Sequence, residues 1–108
     1  MPAADKIIVL TNCGSKKEAR RIARVLVEKR LAACVNAPAA AVESIYRWKG
    51  KVETAKEFPL LIKTTRARFP AVERAIRELH SYDVPEIIAV PIAAGSADYL
   101  RWLAGSVK

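Results

Sequence analysis

The stretch that most constrains the fold of this chain runs from Val42 to Lys63, where two alternating apolar segments flank Lys49, Gly50 and Lys51. This pattern predicts a long β-hairpin. On its first arm Val42, Ser44, Tyr46 and Trp48 fall on one face and Glu43, Ile45, Arg47 and Lys49 on the other, because side chains alternate along a strand. Eight such residues reach roughly 26 Å, which is long for a small domain, so the tip is expected to project and carry Tyr46 and Trp48 with it. A projecting aromatic edge calls for a partner, and the hairpin is read as the element through which the subunit oligomerises.

The flanking segments complete the pattern. Ile7 to Leu10 is an apolar run suited to a central strand, ending at Thr11, Asn12, Cys13 and Gly14. Ser15 with Glu18 forms a capping-box signature for a first helix expected to reach about Ala33, with Ala19, Ile22, Ala23 and Leu26 as its apolar stripe. Arg30 falls on that apolar side and is expected to meet carbonyls at the helix end, with a buried ion pair or ligand role as the alternative. Cys34 to Asn36 opens a second strand that Pro38 and Ala39 to Ala41 interrupt and Val42 resumes. Pro59 in the return strand implies a bulge or an amide that faces no partner. A second helix over about Ala67 to His80 buries Phe69, Val72, Ile76 and Leu79. A fourth strand over Ile87 to Ile92 and a short C-terminal helix with Tyr99, Leu100, Trp102 and Leu103 follow.

The order is β-α-β-β-α-β plus a helix, the ferredoxin-like α+β arrangement, with strand order 4-1-3-2. One domain is expected to span residues 1–108, able to bury roughly 65% of the surface its unfolded chain exposes. No apolar run approaches the ~18 residues of a membrane span, and the short polar Met1 to Lys6 lacks a signal-peptide core. No membrane partner and a cytoplasmic location are therefore expected. Cys13 and Cys34 fall at opposite ends of the sheet, roughly 20 Å or more apart, beyond the ~7 Å reach of a disulfide. The formal charge of +8 admits anionic partners or serves solubility.

Topology gathers Cys13, His80 and Glu86 at one sheet edge, three residues whose thiolate, imidazole and carboxylate suit copper or zinc. The structural alternatives are a histidine that ends a helix, a small loop cysteine and a glutamate paired with Lys or Arg. Asp83 and Tyr82 add polar groups nearby or belong to an ordinary turn. A second candidate pocket combines Tyr46, Trp48, Lys63, Cys34 and Asn36 from different subunits, with interface packing as its competitor. No Ser, His and Asp set, phosphate loop or catalytic carboxylate pair is evident, so no enzyme activity is expected. Nucleic-acid binding is not expected either, because strand one offers Ile7 to Leu10 where base-stacking aromatics would be needed.

Arg30 to Asn36, Ser44 to Gly50, Lys63 to Thr65, Leu79 to Ile87 with Pro85 and Glu86, and the final Tyr99, Leu100, Trp102 and Leu103 together resemble the CutA divalent-cation tolerance family over about residues 6 to 104. The resemblance implies a cytosolic, non-enzymatic ferredoxin-like homotrimer held by strand pairing between subunits and linked to copper (Cu2+) and other divalent cations. The copper ligands described in some members are a cysteine near the end of strand one, a histidine before a proline-tyrosine pair and a nearby glutamate. Here Thr11 stands at the cysteine position and Ser81-Tyr82 replaces the pair, while Cys13, two residues on, shares the face of Thr11. Glu86 carries over directly and His80 occupies one of the histidine positions, so the implied metal set is Cys13, His80 and Glu86. The alternative is a regulatory trimer similar to the PII nitrogen-signalling proteins, taking a small anionic metabolite between subunits with Lys63 and Arg47.

Overall fold

The computed structural model describes residues 5–108. The first residues of the N-terminal segment, read above for the absence of a signal peptide, lie outside them. The elements in order are β1 (Lys6–Cys13), α1 (Lys16–Glu28), β2 (Cys34–Asn36), β3 (Val42–Trp48), β4 (Lys51–Thr65), a single 3-10 turn (Arg66–Arg68), α2 (Phe69–Leu79), β5 (Ile88–Pro91) and α3 (Ala97–Ser106). The antiparallel sheet runs β2-β4-β1-β5, and β3 pairs with the far half of β4. This is the expected 4-1-3-2 order, with the second strand split into β2 and β3.

β4 is the spine. Its Phe58 to Thr65 half lies along the whole of β1, its Leu61 to Lys63 segment along β2, and its Lys51 to Glu57 half along β3. Ala33 donates its N–H to the carbonyl of Lys63, so odd-numbered residues of this half of β4 turn their backbone groups toward β2. The N–H that Pro59 lacks would therefore point into the gap between Asn36 and Val42, where no strand lies opposite. The expected partnerless amide is where the chain can tolerate it.

Alternation assigns the faces. Ile7, Val9, Thr11 and Cys13 on β1 and Leu60, Ile62 and Thr64 on β4 are buried under α1 and α2, whose Ala19, Ile22, Leu26, Val72 and Ile76 complete the core. On the other face Cys34 and Lys63 face each other in register, and Tyr99 Oη comes 3.9 Å from Cys34 Sγ, so α3 approaches that side. β1 is longer than the apolar run alone predicts. Strand geometry continues through Thr11, Asn12 and Cys13 because β4 supplies partners as far as Phe58.

α1 ends at Glu28, five residues short of the expected Ala33. Arg30 takes φ 60, and the amides of Arg30 and Leu31 return to the carbonyls of Val27 and Leu26. This pattern ends a helix in a left-handed residue, usually glycine. Arg30 fills that position, and its guanidinium donates to the carbonyls of Gly105 (3.0 Å) and Ser106 (3.3 Å) at the end of α3. It meets helix-end carbonyls as expected, but those of another helix. At the hairpin tip Lys49 and Gly50 have φ 49 and 80, the two positive values of a type I′ turn. Among the described residues nothing lies within 4 Å of a Cβ built on Gly50, so it is backbone conformation that restricts that residue. Gly50→Ala should therefore cost about 1–2 kcal/mol in denaturant unfolding, whereas Lys49→Asn should hold or raise stability, because asparagine tolerates this region.

Candidate functional site

The site forms where β1 outruns β5. Lys6 accepts from the amide of Ile92, so even-numbered β1 residues turn their backbone toward β5, whose pairing stops at Leu10 opposite Ile88. The carbonyl of Asn12 is thus left without a strand partner. His80, the residue that ends α2, supplies the donor, with Nε2 2.7 Å from that oxygen. Its Nδ1 accepts from the Tyr82 amide at 3.1 Å, which assigns the ring proton to Nε2. Both ring nitrogens are engaged, and the side chain is fully buried.

Glu18 completes this knot. Ser15 Oγ accepts from the Glu18 amide, giving one half of the capping box. The Glu18 carboxylate does not return to Ser15. Its two oxygens instead accept from the Ser81 amide (3.0 Å) and the Ser81 hydroxyl (3.2 Å), tying the start of α1 to the loop after α2. The ligand-type atoms of Cys13, Glu18 and His80 lie within 4.8 Å of one another, and among the described residues they are the one such group. The sequence placed Cys13 and His80 together but passed over Glu18, which read as an ordinary capping residue.

Glu86 is elsewhere. It accepts from Asn12 Nδ2 at 3.2 Å, and Asn12 projects to the sheet face opposite Cys13. β1 itself separates the expected third ligand from the other two. Glu86 lines an open cleft of about 610 Å³ with Asn12, Tyr46, Trp48, Glu57 and Asp83. Glu57, nearly buried at the hairpin root, accepts from Tyr82 Oη at 2.9 Å. Tyr82 stacks obliquely on His80, with ring centroids 4.7 Å apart. A Cβ on Gly14 would sit 3.1 Å from Tyr82 Oη, so the glycine that ends β1 also makes room for this ring.

Electrostatics sort the donors. Burial, then the charges of Glu18 and Glu57, push the Cys13 thiol up from 9.0 to about 12. Burial and the bond to Glu57 push the Tyr82 phenol up to about 12 as well. Metals take the thiolate, a form that burial and the neighbouring Glu18 and Glu57 charges disfavour at Cys13 in the metal-free fold. With both His80 nitrogens and both Glu18 oxygens already bonded, the Cys13–Glu18–His80 group as folded does not fit an ion. The exposed cleft carboxylates, Asp83 and Glu86, are oxygen donors open to water, chemistry that suits a partly hydrated divalent cation. Lys63 and Arg47, suggested above for an anion, do not meet within one chain. Arg47 lies opposite Val52, eleven positions from Lys63 along β4, or about 36 Å.

A folded-state thiol and phenol raised to about 12 hold protons that the unfolded chain loses from pH 9.0 for the cysteine and 10.0 for the tyrosine. Stability should therefore be flat below pH 9 and fall as pH rises toward 12. Thermal melts across that range should show the fall, with a shallower slope in Cys13→Ala. His80→Ala, which strands the Asn12 carbonyl and the Tyr82 amide, should cost about 1–3 kcal/mol at neutral pH.

The profile of the family described as CutA1 divalent ion tolerance protein matches residues 7–106. The divalent-cation tolerance protein CutA of Thermus thermophilus is 50% identical over 96 residues, covering 89% of this chain and 92% of its own. Mouse Protein CutA is 46% identical over 91 residues, 84% of this chain, which spans about half (51%) of that longer relative. Among solved structures, the divalent cation tolerance protein (Cut A1) from Thermus thermophilus superposes with TM-score 0.92 at 47% identity, covering 95% of this chain and 99% of the other.

Proposed function

The chain belongs to the CutA1 divalent ion tolerance family, and from that membership together with the cleft we propose that it is a homotrimeric, non-enzymatic, cytoplasmic protein that binds divalent cations, copper(II) foremost. The observation that carries the cation reading is the set of carboxylates at the end of β1, Glu57, Asp83 and Glu86, lining a cleft open to solvent. They are not a preassembled three-donor cage, since among the described residues only Cys13, Glu18 and His80 are that close. An ion there keeps part of its water, and Glu86, held by Asn12, is its principal protein ligand.

The trimer draws support from two open strand edges and the apolar surface beside them. Among the described residues, β3 has β4 on one side only, and β5 has β1 on one side only. Ile45 and Val52 on the hairpin are 68% and 64% exposed, and Ile88 and Val90 on β5 are 50% and 45% exposed. Edge-to-edge pairing of the hairpin with β5 of the next copy is a head-to-tail contact of the kind that closes rings. Among the described residues, no helix is long and apolar enough to cross a membrane.

A second reading, with copper on Cys13, His80 and Glu86, rests on the proximity of Cys13 and His80 and requires the Ser81–Tyr82 loop to release the imidazole. Calorimetric titration of copper(II) into the reduced protein separates the two. We expect saturation at one ion per subunit, at least about tenfold weaker binding in Glu86→Gln and Asp83→Asn, a loss of about 1.4 kcal/mol, and unchanged binding in Cys13→Ser. Loss in Cys13→Ser with full binding in Asp83→Asn would transfer the site to the buried cluster. Absence of saturable binding would sink the copper assignment, and a light-scattering mass other than three chains would sink the trimer.

A further inference from the structure

On the sheet face opposite Cys13, a separate group of reactive side chains has no part in the cation cleft. Cys34 on β2 lies directly opposite Lys63 on β4, and Lys63 Nζ donates to Cys34 Sγ at 3.8 Å. The same ammonium is held by Asn36 Oδ1, and Tyr99 Oη stands 3.9 Å from the sulfur on the α3 side. Burial and the Cys34 contact push the Tyr99 phenol up, so it remains a hydroxyl that can hydrogen-bond the sulfur at neutral pH. Cys34 is only partly buried, in contrast to Cys13.

We propose that Cys34 is a hydroperoxide-reactive site whose oxidised sulfur is captured by Lys63 as a sulfenamide, an S–N bond that staples β2 to β4. The argument turns on what an oxidised Cys34 can meet. A sulfenic acid condenses with a neighbouring thiol or nitrogen. The chain's other thiol cannot serve. Cys13 lies opposite Phe58, five positions from Lys63 along β4, about 17 Å away, and on the other face of the sheet. A nitrogen nucleophile does stand against the sulfur, the Lys63 side chain, held there by its bond to Asn36.

The chemistry balances with one molecule of hydrogen peroxide. The thiol sulfur attacks a peroxide oxygen, the O–O bond breaks, and one water leaves with Cys34 as a sulfenic acid. The Lys63 ammonium gives one proton to water, the amine so formed attacks that sulfur, the S–N bond forms, and the hydroxyl departs with an amine proton as a second water. Sulfur gives up two electrons and the peroxide takes them. The protein loses two hydrogens and gains no atom, and a thiol reductant reverses the bond.

The test is intact-mass measurement and tryptic mapping of the purified, reduced protein after brief treatment with stoichiometric hydrogen peroxide. The expected product is lighter by two hydrogens, is restored by dithiothreitol, joins the Cys34 peptide to the Lys63 peptide and resists tryptic cleavage after Lys63. Cys13→Ser should form it and Cys34→Ser should not, while Lys63→Arg should stop at a sulfenic acid on Cys34 and proceed to the sulfinic acid only when a second equivalent of peroxide is added. The tryptic map of the unaltered chain decides the matter even if a variant folds poorly. Cys34 found as sulfinic acid, or in a disulfide between subunits, with Lys63 cleaved normally, would overturn the proposal.

Discussion

The unbroken fifteen-residue run of β4 is the constraint on which the other elements depend. Three strands take their register from it, and the same strand carries the core residues Leu60 and Ile62, the cleft residue Glu57 and the exposed hairpin. A strand that long cannot stay within one small domain, since at about 3.3 Å per residue it approaches 50 Å. The described residues accordingly extend 45 × 26 × 25 Å. The hairpin's open edge follows from that length.

Much of this architecture was legible because strand alternation and helix periodicity are strong signals here. Ile22, Leu26, Val72 and Ile76 are buried as their spacing predicts. The end of α1 was misread because the stopping residue is Arg30, and nothing in its type announces a left-handed conformation. Long-range hydrogen bonding set that boundary, through Gly105 and Ser106. The site was half legible. Topology correctly brings Cys13 and His80 to one end of β1, but a sheet has two faces, and consecutive residues Asn12 and Cys13 divide Glu86 from the thiol. Glu18 escaped notice because its capping position accounts for it locally, while its carboxylate is used sixty-three residues away at Ser81.

The Cys13–Glu18–His80 group shows why proximity of donor types is a weak guide to metal chemistry. Each group already performs a fixed task. The imidazole satisfies a carbonyl that β5 does not reach, the carboxylate holds the loop that follows α2, and the thiol fills space beneath the helices. Thr11, beside them on the same face, has a buried hydroxyl without a partner among the described residues. That hydroxyl opposes folding by about 1–3 kcal/mol. The hydrogen-bonded knot around His80 therefore acts as a foundation for the cleft, fixing Tyr82 and through it Glu57.

The gap opposite Pro59 has an evolutionary consequence. Because β2 and β3 are each registered on β4 independently, the segment from Ala37 to Ala41 that joins them bridges a place where no ladder exists. Residues can be added or removed there without sliding either strand. The projecting arm and the core are thus separable modules on one shared backbone, and a lineage can lengthen or reshape the arm while leaving the interior untouched.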